Sequence, residues 1–145
     1  MDIGQRSKRL TYFFREKEKS VNAPLIKIYI VDDNQSFGRS LKRLLNARGI
    51  SADHFCSAQA FIDSVDSDQK GIAILDIHMP ECDGFVLMDK MDAMGYDMPV
   101  IVITGYAKAD TENIAMKRGA VGFLRKPFNE NSFLNMIETQ MENMD

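Results

Sequence analysis

Short apolar runs recur along the chain and alternate with stretches of helical periodicity. No other feature restricts the fold as strongly. IKIYIV ends at Val31, GIAIL at Leu75, VIVI at Ile103 and VGFL at Leu124. Runs of this kind are typical of parallel strands buried on both faces. Strands are predicted at 25–31, 51–55, 71–76, 99–103 and 121–125, with Pro99 tolerable as a first strand residue. Helices fit between them. The first covers 36–48, with Phe37, Leu41, Leu44 and Leu45 on one face and Gly49 as its left-handed stop. The second follows Ser57, a candidate N-cap, and turns Phe61, Ile62 and Val65 inward. The third covers 84–94 and stops at Gly95; its Met88, Met91 and Met94 read as core filler. The fourth covers 110–118 and stops at Gly119. The last starts near Asn129 and carries Phe133, Leu134, Ile137 and Met141. The fold class is therefore α/β, a (βα)5 pattern whose alternation implies a parallel sheet with helices on both faces.

Each long run ends in a polar group. Asp32 and Asp33 follow the first predicted strand, Asp76 ends the third, Thr104 follows the fourth, and Lys126-Pro127 follow the fifth. In an open α/β sheet, ligands sit outside the carboxyl ends of the strands. Three carboxylates, a hydroxyl and an ammonium are thus expected in one crevice. Clustered carboxylates repel one another and call for a cation. The set suits a divalent cation and a phosphoryl group.

Composition narrows the function classes. At 145 residues and 45% apolar, the chain has the size and the core of one domain. A net charge of −3 does not point to nucleic acid. Residues 1–20 carry six Lys/Arg against three Asp/Glu, so residues 1–24 read as a basic N-terminal extension and linker before the domain at 25–145. Leu10, Phe13, Phe14 and Lys17 lie at helical spacing there. The alternatives for this segment are a tail without fixed structure and a short amphipathic helix that binds a partner or dimerises. Two cysteines, Cys56 and Cys82, make no disulfide framework, and with two scattered histidines they make no zinc pattern. No apolar run approaches the ~18 residues of a membrane span, and LTYFF is too short for a signal-peptide core. A soluble cytoplasmic protein is expected. His54 has no evident partner in the sequence and reads as an ordinary surface or edge residue.

The segments IVDD at 30–33, LDIHMPECDG at 75–84, VITGYA at 102–107 and FLRKPF at 123–128 resemble the receiver domain of two-component response regulators. The resemblance covers about residues 25–145 with the expected spacing. It implies a doubly wound, five-stranded parallel sheet in the flavodoxin-like order 2-1-3-4-5. It further implies that Asp76 is the phosphoacceptor, taking phosphorus from a sensor histidine kinase, a phosphotransfer protein or a small phosphodonor. Asp33 and Asp76 would ligate Mg²⁺ directly, Asp32 through water, and His78 through its backbone carbonyl. Lys126 and Thr104 would engage phosphoryl oxygens, and the Lys126–Pro127 bond would be cis. An aspartyl phosphate carries about −1.5 to −2 charges. Thr104 would move toward it and Phe123 would rotate inward, remodelling the surface of the fourth helix, the fifth strand and the last helix. That surface could form a homodimer on phosphorylation.

Two positions depart from the family's usual occupants. His78 stands two residues after Asp76, and Tyr106 two residues after Thr104. In the family both border the phosphoryl group, so Tyr106 is expected to shield it from water, while the His78 ring is expected to be exposed. No output domain is expected after the last helix. Contact with nucleic acid would need such a domain, whether the chain is a stand-alone receiver or part of a longer regulator. A Mg²⁺-dependent phosphohydrolase with an aspartyl nucleophile would need a second Asp where His78 stands, and a cap. A receiver-like binding module that is never phosphorylated would not need all five polar residues. A flavin-binding protein would not place the acidic DDNQSFG after its first strand.

Overall fold

A computed structural model describes residues 26–144. The segment around Leu10 to Lys17 lies outside the described residues. The strands are β1 (Lys27–Val31), β2 (Ala52–Phe55), β3 (Gly71–Asp76), β4 (Val100–Thr104) and β5 (Gly122–Arg125). The helices are α1 (Gln35–Ala47), α2 (Ala58–Ser64), α3 (Gly84–Met94), α4 (Thr111–Lys117) and α5 (Glu130–Asn143). All strands are parallel, in the order β2-β1-β3-β4-β5. The chain leaves β1 toward one edge and β3 toward the other. The two loops diverge there and leave a crevice at the carboxyl rim.

Strand alternation divides the core into two layers. Ile28, Ile30, Ile72, Ile74, Ile101 and Ile103 face one way and meet Leu41 and Leu45 of α1 and Phe133 and Ile137 of α5. Tyr29, Val31, Ala73, Leu75 and Val102 face the other way and meet Phe61, Leu87, Met88, Met91 and Ala115 from α2 to α4. All six residues of β3 are buried, which is why its sequence shows no alternation. Burying each large apolar side chain contributes roughly 1.5–3 kcal/mol.

Four of the five helix starts are held by side chains that satisfy otherwise orphaned amides, while Asp110 before α4 makes no such bond. Asn34 accepts from the Phe37 N–H, Ser57 from Ala60, Asp83 from Phe85, and Asn129 from Asn131 and Ser132. Such a cap is worth about 1 kcal/mol. At the other end of α3, Gly95 adopts φ 86°, a left-handed conformation that closes the helix without a Cβ clash. Gly84 opens α3. A Cβ there would stand 2.7 Å from both the Asp76 carbonyl oxygen and the Ile77 Cα, so its absence lets α3 start directly against the backbone that carries Asp76.

Two expectations need correcting. Met94 is 49% exposed while Met88 and Met91 are buried. Steps of three residues fall short of a full helical turn, so the third methionine has rotated about 120° away from the first. Val65 is buried but lies outside α2, in extended backbone. Among the described residues, no helix is long and apolar enough to cross a membrane.

Phe133 is fully buried under the sheet. Phe133→Ala is expected to cost about 3–5 kcal/mol, whereas Val86→Ala, on the exposed side of α3, should cost no more than about 0.5 kcal/mol. Urea denaturation followed by circular dichroism measures both.

Candidate functional site

The carboxyl rim of the sheet collects the side chains that the sequence placed at strand ends. Asp32 follows β1 and is almost fully buried. Its Oδ1 accepts the Asn34 N–H at 2.9 Å, and its Oδ2 accepts from Lys126 Nζ at 2.8 Å. Asp33, one residue on, is exposed. Asp76 is the last residue of β3, at 6% exposure. Its Oδ1 accepts the His78 N–H at 3.0 Å, and its Oδ2 lies 3.7 Å from Lys126 Nζ. Carboxylate oxygens of Asp32, Asp33 and Asp76 lie within 4.8 Å of one another.

Thr104 ends β4 and is fully buried. Its Oγ1 accepts the Tyr106 N–H at 3.1 Å, which leaves the hydroxyl hydrogen to donate elsewhere. Lys126 follows β5; its N–H donates to the Thr104 carbonyl, and its peptide bond to Pro127 is cis. The Lys126 ammonium lies 3.9 Å from the centroid of the Phe37 ring, on the first turn of α1. Phe37 is in turn braced edge-on by Phe128, the residue after Pro127.

Burial pushes the Asp76 carboxyl above the ordinary carboxylate range. The His78 amide and the Lys126 ammonium pull it back, while the charges of Asp32 and Asp33 push it further up. The site thus holds more negative charge than its single ammonium offsets. The donor atoms are all hard oxygens, as Mg²⁺ or Ca²⁺ prefers.

Asp32, Asp33, Asp76, Thr104 and Lys126 converge as expected from the strand ends. The His78 ring is exposed and meets the Tyr106 ring edge-on, with centroids 4.9 Å apart. Phe123 is half-buried in β5, one strand from the crevice, and the Arg125 guanidinium lies 5.4 Å from its ring. Cys82 is half-buried and Cys56 exposed; both are free thiols. The expectation that His54 has no partner is corrected. The residue does sit on the edge strand, but its Nε2 lies 2.8 Å from the Asp32 carbonyl oxygen. Sequence reasoning also placed Phe37 only in the core of α1. The available signal was position: the first turn of a helix that follows a strand end faces the same rim.

Residues 28–138 match the family model of the response regulator receiver domain. The transcriptional regulatory protein FixJ of Bradyrhizobium diazoefficiens is 37% identical over 112 residues, 77% of this chain and 55% of that protein. The response regulator protein TmoT of Ectopseudomonas mendocina is 36% identical over 115 residues, 79% of this chain and 52% of that protein. The chain thus spans about half the length of these curated relatives. The crystal structure of FixJ-N superimposes with a TM-score of 0.74 at 32% identity, covering 81% of this chain and 94% of that one.

A carboxyl whose folded-state value is raised binds its proton more readily in the folded than in the unfolded protein. Its contribution is fully present below the ordinary carboxyl range and is lost as pH rises through the raised value. Ionised Asp76 therefore weakens the fold at neutral pH. In metal-free buffer, Asp76→Asn is expected to raise Tm by a few degrees at neutral pH. That gap should close as pH falls below about 4. Paired thermal melts across this range test the sign.

Proposed function

The chain belongs to the response regulator receiver domain family, and on that premise we propose that Asp76 is its phosphoacceptor in two-component signalling. Receiver domains are signalling domains rather than enzymes acting on a separate metabolite. The carrying observation is the buried Asp76 carboxylate with Lys126 Nζ 3.7 Å away and two further carboxylates beside it. In the proposed reaction an Asp76 oxygen bonds to phosphorus as the phosphorus–nitrogen bond of a phosphohistidine breaks. The released imidazole nitrogen takes up a proton.

The three clustered oxygens fit Mg²⁺. Asp33 and Asp76 would hold it directly, Asp32 through water, and His78 through its backbone carbonyl. Once bound, it supplies positive charge to the transferring oxygens. The chain's own groups supply the rest. Lys126 carries a point charge that Asp32 and the Phe37 face hold in place. Thr104 has a hydroxyl hydrogen to give to a phosphoryl oxygen, because its oxygen already accepts from Tyr106. The exposed Tyr106 ring, in edge contact with the exposed His78 ring, would shield the acyl phosphate from water.

Phosphorylation would draw Thr104 toward the new oxygens and let Phe123 turn inward, changing the surface of α4, β5 and α5. The phosphodonor is a sensor histidine kinase or a phosphotransfer protein. The changed surface supports a homodimer, and contact with nucleic acid runs through an output domain. The domain covers 25–145, preceded by the basic segment 1–24, in the cytoplasm.

Acetyl phosphate supplies the test. The wild type should gain one phosphoryl group by intact mass only when Mg²⁺ is present, and Asp76→Asn should gain none. Labelling of the wild type without Mg²⁺, or of Asp76→Asn with it, would overturn the assignment. Tyr106→Ala should shorten the acyl-phosphate lifetime severalfold in a chase with unlabelled buffer; an unchanged lifetime would remove the shielding role.

A further inference from the structure

We propose that His54 is a positioning residue for the acidic site, holding the peptide plane between Asp32 and Asp33 through a hydrogen bond from its Nε2 to the Asp32 carbonyl. The inference rests on the phosphoacceptor reading and adds to it a residue outside the motif segments. His54 is the third residue of β2 and pairs with Ile30 of β1. The backbone ladder between these strands carries on one step past β1, where the Asp32 N–H donates to the Phe55 carbonyl at 3.0 Å. The Asp32 carbonyl comes next, and there the donor is the imidazole, at 2.8 Å. A carbonyl only accepts, so Nε2 carries the hydrogen.

The geometry is built on both sides. A Cβ on Gly38 would stand 2.1 Å from His54 Nε2 and 2.3 Å from its Cδ2. The ring therefore occupies space that only glycine leaves open on the first turns of α1. Asp32 is held at each of its other polar atoms: N–H to Phe55, Oδ1 to Asn34 and Oδ2 to Lys126. His54 completes the set. Its consequence falls on the next residue. The Asp32 carbonyl and the Asp33 N–H belong to one rigid peptide unit. Fixing that unit sets the direction in which the exposed Asp33 carboxylate leaves the backbone, and hence its approach to Asp76. Without the donor, a buried carbonyl is orphaned and the unit is free to turn.

Mg²⁺ binding to the full chain, measured by isothermal titration calorimetry, tests this with four variants set against the wild type. His54→Met keeps the bulk of the ring and removes the donor. His54→Gln places an amide N–H near the Nε2 position. Asp76→Asn reports loss of the site itself. His54→Met is expected to bind Mg²⁺ about tenfold more weakly than wild type, and to label with acetyl phosphate more slowly at limiting Mg²⁺ but normally at saturating Mg²⁺. His54→Gln should recover to within about twofold. Metal-free Tm values of the two His54 variants should match each other. Gly38→Ala, which displaces the ring and favours helix by about 1 kcal/mol, should weaken Mg²⁺ binding in the same direction as His54→Met. Wild-type affinity in His54→Met, or equal weakening in His54→Gln, would overturn the role. A wild type that responds to neither Mg²⁺ nor acetyl phosphate would instead overturn the phosphoacceptor reading itself, and this inference with it.

Discussion

Three carboxylates within 4.8 Å of one another repel, and the fold holds them there because every strand of the sheet points the same way. Parallel pairing sends all carboxyl ends to one rim, and the reversal of winding at β1 and β3 opens that rim between the two acidic strands. Lys126, 94 residues from Asp32, supplies the nearest compensation. It sits closer to Asp32 than to Asp76, at 2.8 Å against 3.7 Å, so the Asp76 carboxylate is the less tightly compensated of the two buried acids. The raised carboxyl of Asp76 follows from the same arrangement: burial raises it, and two neighbouring acids add to the shift.

The rim is stiff on one side and open on the other. Asp32 and Thr104 are buried and hydrogen-bonded, and Lys126 is braced by an aromatic pair, Phe37 and Phe128. Asp33, His78 and Tyr106 face solvent. The acidic oxygens therefore open to solvent on the side away from the groups that set their spacing. The edge strand takes part in this stiffness. His54 ties β2 to the loop after β1, so the short outermost strand does more than close the sheet.

Much of this was legible in the chain. Apolar runs of four to six residues, each ended by a polar group, located β1, β3, β4 and β5 to within two residues. Glycines at 49, 95 and 119 marked helix stops, and all three have positive φ. The strand-end rule places Asp32, Asp33, Asp76, Thr104 and Lys126 at one rim from the chain alone. Met94 was misread because spacing by three mimics a helical stripe over two residues but drifts off it by the third. The place of Phe37 at the rim was open to reading from its position, but its contact with Lys126 and the bond from His54 were not, since each depends on how far one element stands from another.

The alternation of buried runs and helical segments determined by itself that the chain forms a parallel α/β sheet and that its chemical groups share one rim, because strand direction and side-chain period are local properties of the backbone. Tertiary structure alone decided which of those groups touch. Lys126 bonds Asp32 rather than Asp76, the His54 ring fills the space left by Gly38, and Asp33 stays exposed beside two buried acids. Those outcomes are set by the separation and tilt of packed elements, on a scale of tenths of an ångström that no pattern of residue types encodes.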